Sequence, residues 1–145
     1  MLQFYFLSVA ANLLAGLELL AEFFGERYPA LAQLHGLLGR RWSRAALGAV
    51  AAAVGFLKLL LRPTPGDVRV VGDLVPALVG LALGASLLLH VAREKAGLTA
   101  EVTSVKPLSG LGWLEKALLT YRMPLGALGV VTAVLHFLVP GALLL

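Results

Sequence analysis

The stretch Leu74-Val-Pro-Ala-Leu-Val-Gly-Leu-Ala-Leu-Gly-Ala-Ser-Leu-Leu-Leu-His-Val91 runs without one Asp, Glu, Lys or Arg, between Asp73 on one side and Arg93 and Lys95 on the other. A helix that crosses a hydrocarbon core of about 30 Å needs about 20 mainly apolar residues. The stretch therefore reads as a membrane span rather than a soluble core helix. Three more apolar stretches, Leu2–Phe24, Ala45–Leu61 and Leu125–Leu145, fill most of the rest of the chain.

Composition agrees. Of 145 residues, 59% are hydrophobic and 14% charged, against about half and about a quarter in soluble domains. Mean hydropathy is +0.89. The expectation is an all-α integral membrane protein. Residues 1–145 form a single transmembrane helical domain with four transmembrane helices at about 2–24, 44–61, 74–91 and 124–144. The first helix lacks a basic region ahead of it, and Glu18 to Arg27 contains no small-x-small cleavage pattern, so it is expected to stay as a permanent span.

Basic residues set the orientation. Arg27, Arg40, Arg41 and Arg44 flank the first connection, and Arg93, Lys95, Lys106, Lys116 and Arg122 the third, whereas only Lys58, Arg62 and Arg69 lie at the other side. Lys and Arg are retained in the cytoplasm. Connections 25–43 and 92–123 are therefore expected to be cytoplasmic, with both termini outside, in a prokaryotic cytoplasmic membrane. The sequence pI of about 9.9 then reflects topology and attraction to anionic lipid, and no nucleic-acid partner is expected.

Connection two, from Arg62 to Asp73, contains Pro63, Pro65 and Gly66 and reads as a hairpin turn. In connection three, Ser109 can cap an interfacial helix near 110–121, anchored by Trp113 and Tyr121. In connection one, Pro29 suits a first helical turn, and Leu31, Leu34 and Leu38 recur at helical spacing up to Trp42.

An internal repeat connects these features. Sliding the chain by 78 positions lays Arg44, Leu47, Gly48 and Ala49 on Arg122, Leu125, Gly126 and Ala127; a shift of 64 lays Leu14, Gly16 and Leu17 on Leu78, Gly80 and Leu81. The halves 1–62 and 73–145 would be a tandem pair of helical hairpins related by a pseudo-two-fold along the membrane normal. Chance matching of Leu, Ala and Gly is the competing account. Small residues mark close helix contacts in lipid. Gly80 with Gly84, Gly48 with Ala52, and Gly129 with Ala133 predict tight packing among the second, third and fourth spans.

Polar residues at membrane depth are few, and function has to use them. The candidate polar path or set of interhelical contacts is Asn12, Glu18, Glu22, Lys58 and His136. Asn12 falls near the midplane and reads as a ligand-coordinating amide or as an interhelical hydrogen bond. Glu18 and Glu22, four residues apart, read as a carboxylate pair or as partners of Arg44, Arg122 or Arg27. Lys58 can snorkel outward, and His136 is a proton carrier or a packing residue. Arg40, Arg41, Arg44 and Arg122 are lipid-headgroup contacts or topology determinants.

The chain has no cysteine, which excludes disulfides, thiolate chemistry and Cys-ligated metals. No GxSxG, GxxxxGK[ST] or GxGxxG pattern is present in a usable setting, and His35 and His90 lack the spacing of a metal site. No catalytic residues, metal or cofactors are expected, and an enzyme is disfavoured. Two functions remain. The first is a non-enzymatic scaffold or accessory subunit whose partners are the lipid bilayer and either a second copy or a larger membrane complex. The other is a small oligomeric transporter or channel with a path lined by Asn12, Glu18, Lys58 and His136.

Overall fold

The computed structural model describes residues 2–60, 74–97, 110 and 112–138. Among these, all regular structure is helical: α1 (Leu2–Phe24), α2 (Pro29–Leu38), α3 (Arg41–Leu60), α4 (Leu74–Lys95), α5 (Gly112–Thr120) and α6 (Arg122–Leu138). The hairpin expected over Arg62–Asp73, the Ser109 cap and the end of the 124–144 helix lie outside the described residues.

Local chemistry explains the boundaries. Pro29 opens α2, where its missing N–H is no loss, and Tyr28 before it is extended (φ −124, ψ 106). Gly97 follows α4 at φ 66, the left-handed turn that glycine tolerates best. Between α5 and α6 the axis bends by 69° at Tyr121. Pro124 requires that break, because its ring would clash with the carbonyl of Thr120 in a continuous helix. In α6 it falls in the first turn, where no intrahelical donor is needed.

The interior is built from small side chains and the exterior from large ones. Ala11, Ala15, Leu19, Ala51, Val79, Leu83 and Leu87 form the core cluster. Phe6, Phe56, Leu60, Leu128, Val131 and Phe137 are exposed. In water this distribution would be unfavourable; in lipid it is the expected one. Tyr5–Phe24, Arg41–Leu60 and Leu74–Lys95 are long and apolar enough to cross a membrane; α5 and α6 pass the same test only when the bent pair is counted as one span, so three to four helices among the described residues could cross.

Two glycine seams carry the packing. In the α3–α4 seam, a methyl at Gly84 would lie 2.6 Å from the Gly48 carbonyl oxygen and 2.6 Å from the Ala52 nitrogen. In the α1–α6 seam, one at Gly16 would lie 2.7 Å from the Gly126 oxygen and 2.9 Å from the Val130 nitrogen. The expected packing of the third span on the second and fourth is present, since α3 and α4 meet at Gly48, Ala52 and Gly84 and a methyl at Gly129 on α6 would lie 2.6 Å from Leu83 Cδ1 on α4; the α1–α6 seam is an addition that the small-residue reading did not name. Gly16, left out of the small-residue reading, is what allows that approach.

Candidate functional site

The buried charged and titratable groups fall into two layers, with Asn12 and apolar packing between them. The layer at the end where α1 meets α2 is ionic. Glu18, 1% exposed, accepts from Nε (3.2 Å) and Nη2 (2.8 Å) of Arg44 on α3 through one carboxylate oxygen. Nδ1 of His35 on α2 lies 3.3 Å from the same oxygen, without hydrogen-bond alignment, and Oε2 of Glu18 has no partner. One turn along α1, Glu22 accepts from Nη2 of Arg122 on α6. Nη1 of Arg93 on α4 lies 4.0 Å from Oε2 of Glu115 on α5, both buried.

Such a layer forms because each ion has a counter-ion within reach. An isolated charge at this depth would be strongly unfavourable, and removing one partner of a buried pair leaves the other uncompensated. Arg44 and Arg122 therefore stand apart from Arg40 and Arg41, with which the sequence grouped them. Arg41 lies 3.5 Å from Glu94 at the half-exposed rim, and Arg40 is exposed.

Asn12 occupies the middle of the bundle, 2% exposed. Its Nδ2 donates to the carbonyl of Pro76 at 3.0 Å, and its Oδ1 sits where a side chain on Gly80 would have to go, 2.8 Å from a methyl built there. Ala11, Ala15, Leu83, Leu19 and Leu87 pack around and below it.

Lys58 and His136 meet at the other end. Nζ of Lys58 is 3.3 Å from Nε2 of His136. The Tyr5 ring lies 4.7 Å from the imidazole, and its hydroxyl donates to the His136 carbonyl. From Arg44 to Lys58 along α3 is about 21 Å at 1.5 Å per residue, so the two layers are most of a bilayer core apart.

The structure thus brings Glu18 to Arg44, Glu22 to Arg122 and Lys58 to His136, and holds Asn12 apart from all of them. Sequence reasoning missed Arg93, Glu115 and Ser86. The first two meet only because α5 folds back under α4, and a lone serine in an apolar helix carries no pattern. Among the described residues no three His, Asp or Glu side chains gather as a metal site.

A family model for a domain of unknown function matches residues 1–136, and the chain belongs to that family. None of the curated proteins and none of the solved structures compared with the chain matches it.

Proposed function

We propose that this member of a family of unknown function is a four-span membrane protein that acts as a non-enzymatic scaffold or accessory subunit, docking its apolar faces onto a second copy or a larger membrane complex. The observation that carries the reading is the middle of the bundle. Asn12, the deepest strongly polar group, donates to the Pro76 carbonyl and is packed against Gly80. The apolar layer of Ala15, Leu83, Leu19 and Leu87 separates the ionic end from Lys58 and His136. A solute path through Asn12, Glu18, Lys58 and His136 would have to break that layer.

The ionic end faces the cytoplasm in this reading, with α2 and α5 in the interface. Exposed Tyr28, Trp42, Trp113 and Tyr121 at that end support it, since Trp and Tyr concentrate at membrane boundaries. The fourth span in this reading is α6, with α5 bent away from it by 69°.

The two halves are a tandem repeat about an axis along the membrane normal. Supporting this, the seams correspond contact by contact. A methyl at Gly126 would meet the Gly16 oxygen, Leu19 Cβ and Leu20 Cγ; one at Gly48 would meet the Gly84 oxygen, Leu87 Cβ and Leu88 Cγ. These contacts keep the offset of 78 between α3 and α6, but put α4 against α1 at 68 rather than 64, one helical turn further on. At those offsets burial repeats almost residue for residue: Ser8, Val9, Ala11 and Asn12 against Pro76, Ala77, Val79 and Gly80, and Arg44, Gly48, Ala51 and Val54 against Arg122, Gly126, Gly129 and Thr132. Lys58 and His136 are equivalent and touch each other, as groups beside a two-fold axis do.

The test is reconstitution into liposomes beside mild extraction from the native membrane. The scaffold reading predicts no proton or small-ion flux above empty vesicles, and migration with a mass above that of the single chain. Flux, or a lone chain in the native extract, would overturn it.

A further inference from the structure

The cytoplasmic ionic layer departs from the two-fold at one place. In the α1–α3 half, Arg44 turns its Nε and Nη2 edge onto the Glu18 carboxylate. At offsets of 78 and 68 the counterparts of Arg44 and Glu18 are Arg122 and Ser86. Arg122 is 5% exposed, and its Nε has no hydrogen-bond partner, its Nη2 being drawn to Glu22 on α1. Ser86 is fully buried, and its Oγ has no partner either. The counterpart of Glu22 is His90, half-buried one turn beyond Ser86 on α4. Where one half holds a carboxylate, the other therefore holds an open guanidinium N–H, an open hydroxyl and an imidazole one turn away.

We propose that the α4–α6 side of this layer is a binding site for a small planar monoanion of formate or bicarbonate size, taking the place that the Glu18 carboxylate takes in the α1–α3 half. The inference rests on the two-fold register but not on the scaffold role. Buried donors left unmade are unfavourable by more than an average hydrogen bond contributes, so an occupant is expected. Serine is smaller than glutamate, so the Ser86 side lacks the carboxylate that Glu18 supplies in the other half. Burial of Ser86 and Arg122 excludes a lipid headgroup by size.

Thermal unfolding of the purified full chain in detergent micelles tests this, with sodium formate and sodium bicarbonate compared against sodium gluconate, too large to enter, at equal ionic strength and pH. A ligand that binds only the folded state raises Tm, here by about 2–4 °C near saturation. Ser86→Ala should reduce the rise. Ser86→Glu, which supplies its own carboxylate to Arg122, should abolish it. No rise in the unaltered protein would mean that water fills the site, and a full rise in Ser86→Ala would mean that the anion binds elsewhere; either result overturns the proposal. Because the shift is read without flux or assembly, its failure leaves the scaffold reading standing.

Discussion

Replacing Gly84 by alanine adds one methyl to the tightest point of the α3–α4 seam. That carbon would fall 2.6 Å from the Gly48 oxygen and the Ala52 nitrogen and 2.8 Å from Ala52 Cβ, whereas ordinary contact begins near 3.4 Å. The two nearest atoms are backbone, so no side chain can swing aside, and the helices have to separate by several tenths of an ångström along the whole seam. Overpacking of this kind is unfavourable by about 1–3 kcal/mol. Alanine for glycine in a helix interior contributes about 1 kcal/mol in the opposite sense. Gly36 isolates that opposing contribution: it is exposed on α2, and a methyl there meets nothing within 4 Å. Gly36→Ala should therefore stabilise by up to about 1 kcal/mol, and the difference between the two variants measures the steric part alone, about 1–3 kcal/mol. At about 3–4 °C per kcal/mol for a chain of this size, Gly84→Ala should melt roughly 3–12 °C below Gly36→Ala, followed by helix circular dichroism in micelles. If Gly84→Ala melts at or above Gly36→Ala, the seam is not the close contact described.

Further outcomes follow from the ionic layer and the orientation. Arg44→Met should destabilise by about 3–5 kcal/mol, because it leaves Glu18 buried without its counter-ion, and the double variant Arg44→Met with Glu18→Leu should recover much of the loss; a double variant as unstable as the single one would contradict the pairing. A cysteine replacing Trp42, which is 86% exposed, should react with an impermeant thiol reagent only from the cytoplasmic face of the membrane, and reaction from outside would invert the topology.

Much of the architecture was legible in the sequence because hydrophobic length is a one-dimensional property. The apolar runs at 2–24, 45–61 and 74–91 became α1, α3 and α4, and the Leu31, Leu34, Leu38 spacing behind Pro29 became α2. Which helix touches which was legible only in part: Gly48, Ala52 and Gly84 meet in the α3–α4 seam as their spacing suggested. Glycine spacing marks a face able to approach a neighbour but does not name the neighbour, so the α1–α6 seam escaped it. Register escaped for a related reason: α1 and α4 consist largely of Leu, Ala and Gly, which match at offsets one turn apart, and only the backbone contacts of Gly16 and Gly84 choose between 64 and 68. The sequence offered Arg44, Arg122 and Arg27 as partners for Glu18 and Glu22 but could not assign the pairs or separate Arg44 and Arg122 from the exposed Arg40 and Arg41, because charge shows in a sequence and burial does not. Arg44 is separated from Arg40 and Arg41 by the face of α3 that it occupies, which turns it toward Glu18. Ser86 became visible only once its counterpart, Glu18, was known.

The central claim is that the bundle is dry between its two polar layers. The native chain has no cysteine, so single cysteines at Asn12 and at Thr132, which are 2% and 3% exposed, can be probed in intact membranes with a small impermeant thiol reagent, beside the Trp42→Cys variant opened from the cytoplasmic side as a reactive control. The account predicts that both midplane sites stay unlabelled while the control reacts and both variants assemble as the native chain does. Rapid labelling at Asn12 or Thr132, blocked by prior treatment with a second reagent, would demonstrate water at the midplane and contradict it in favour of transport.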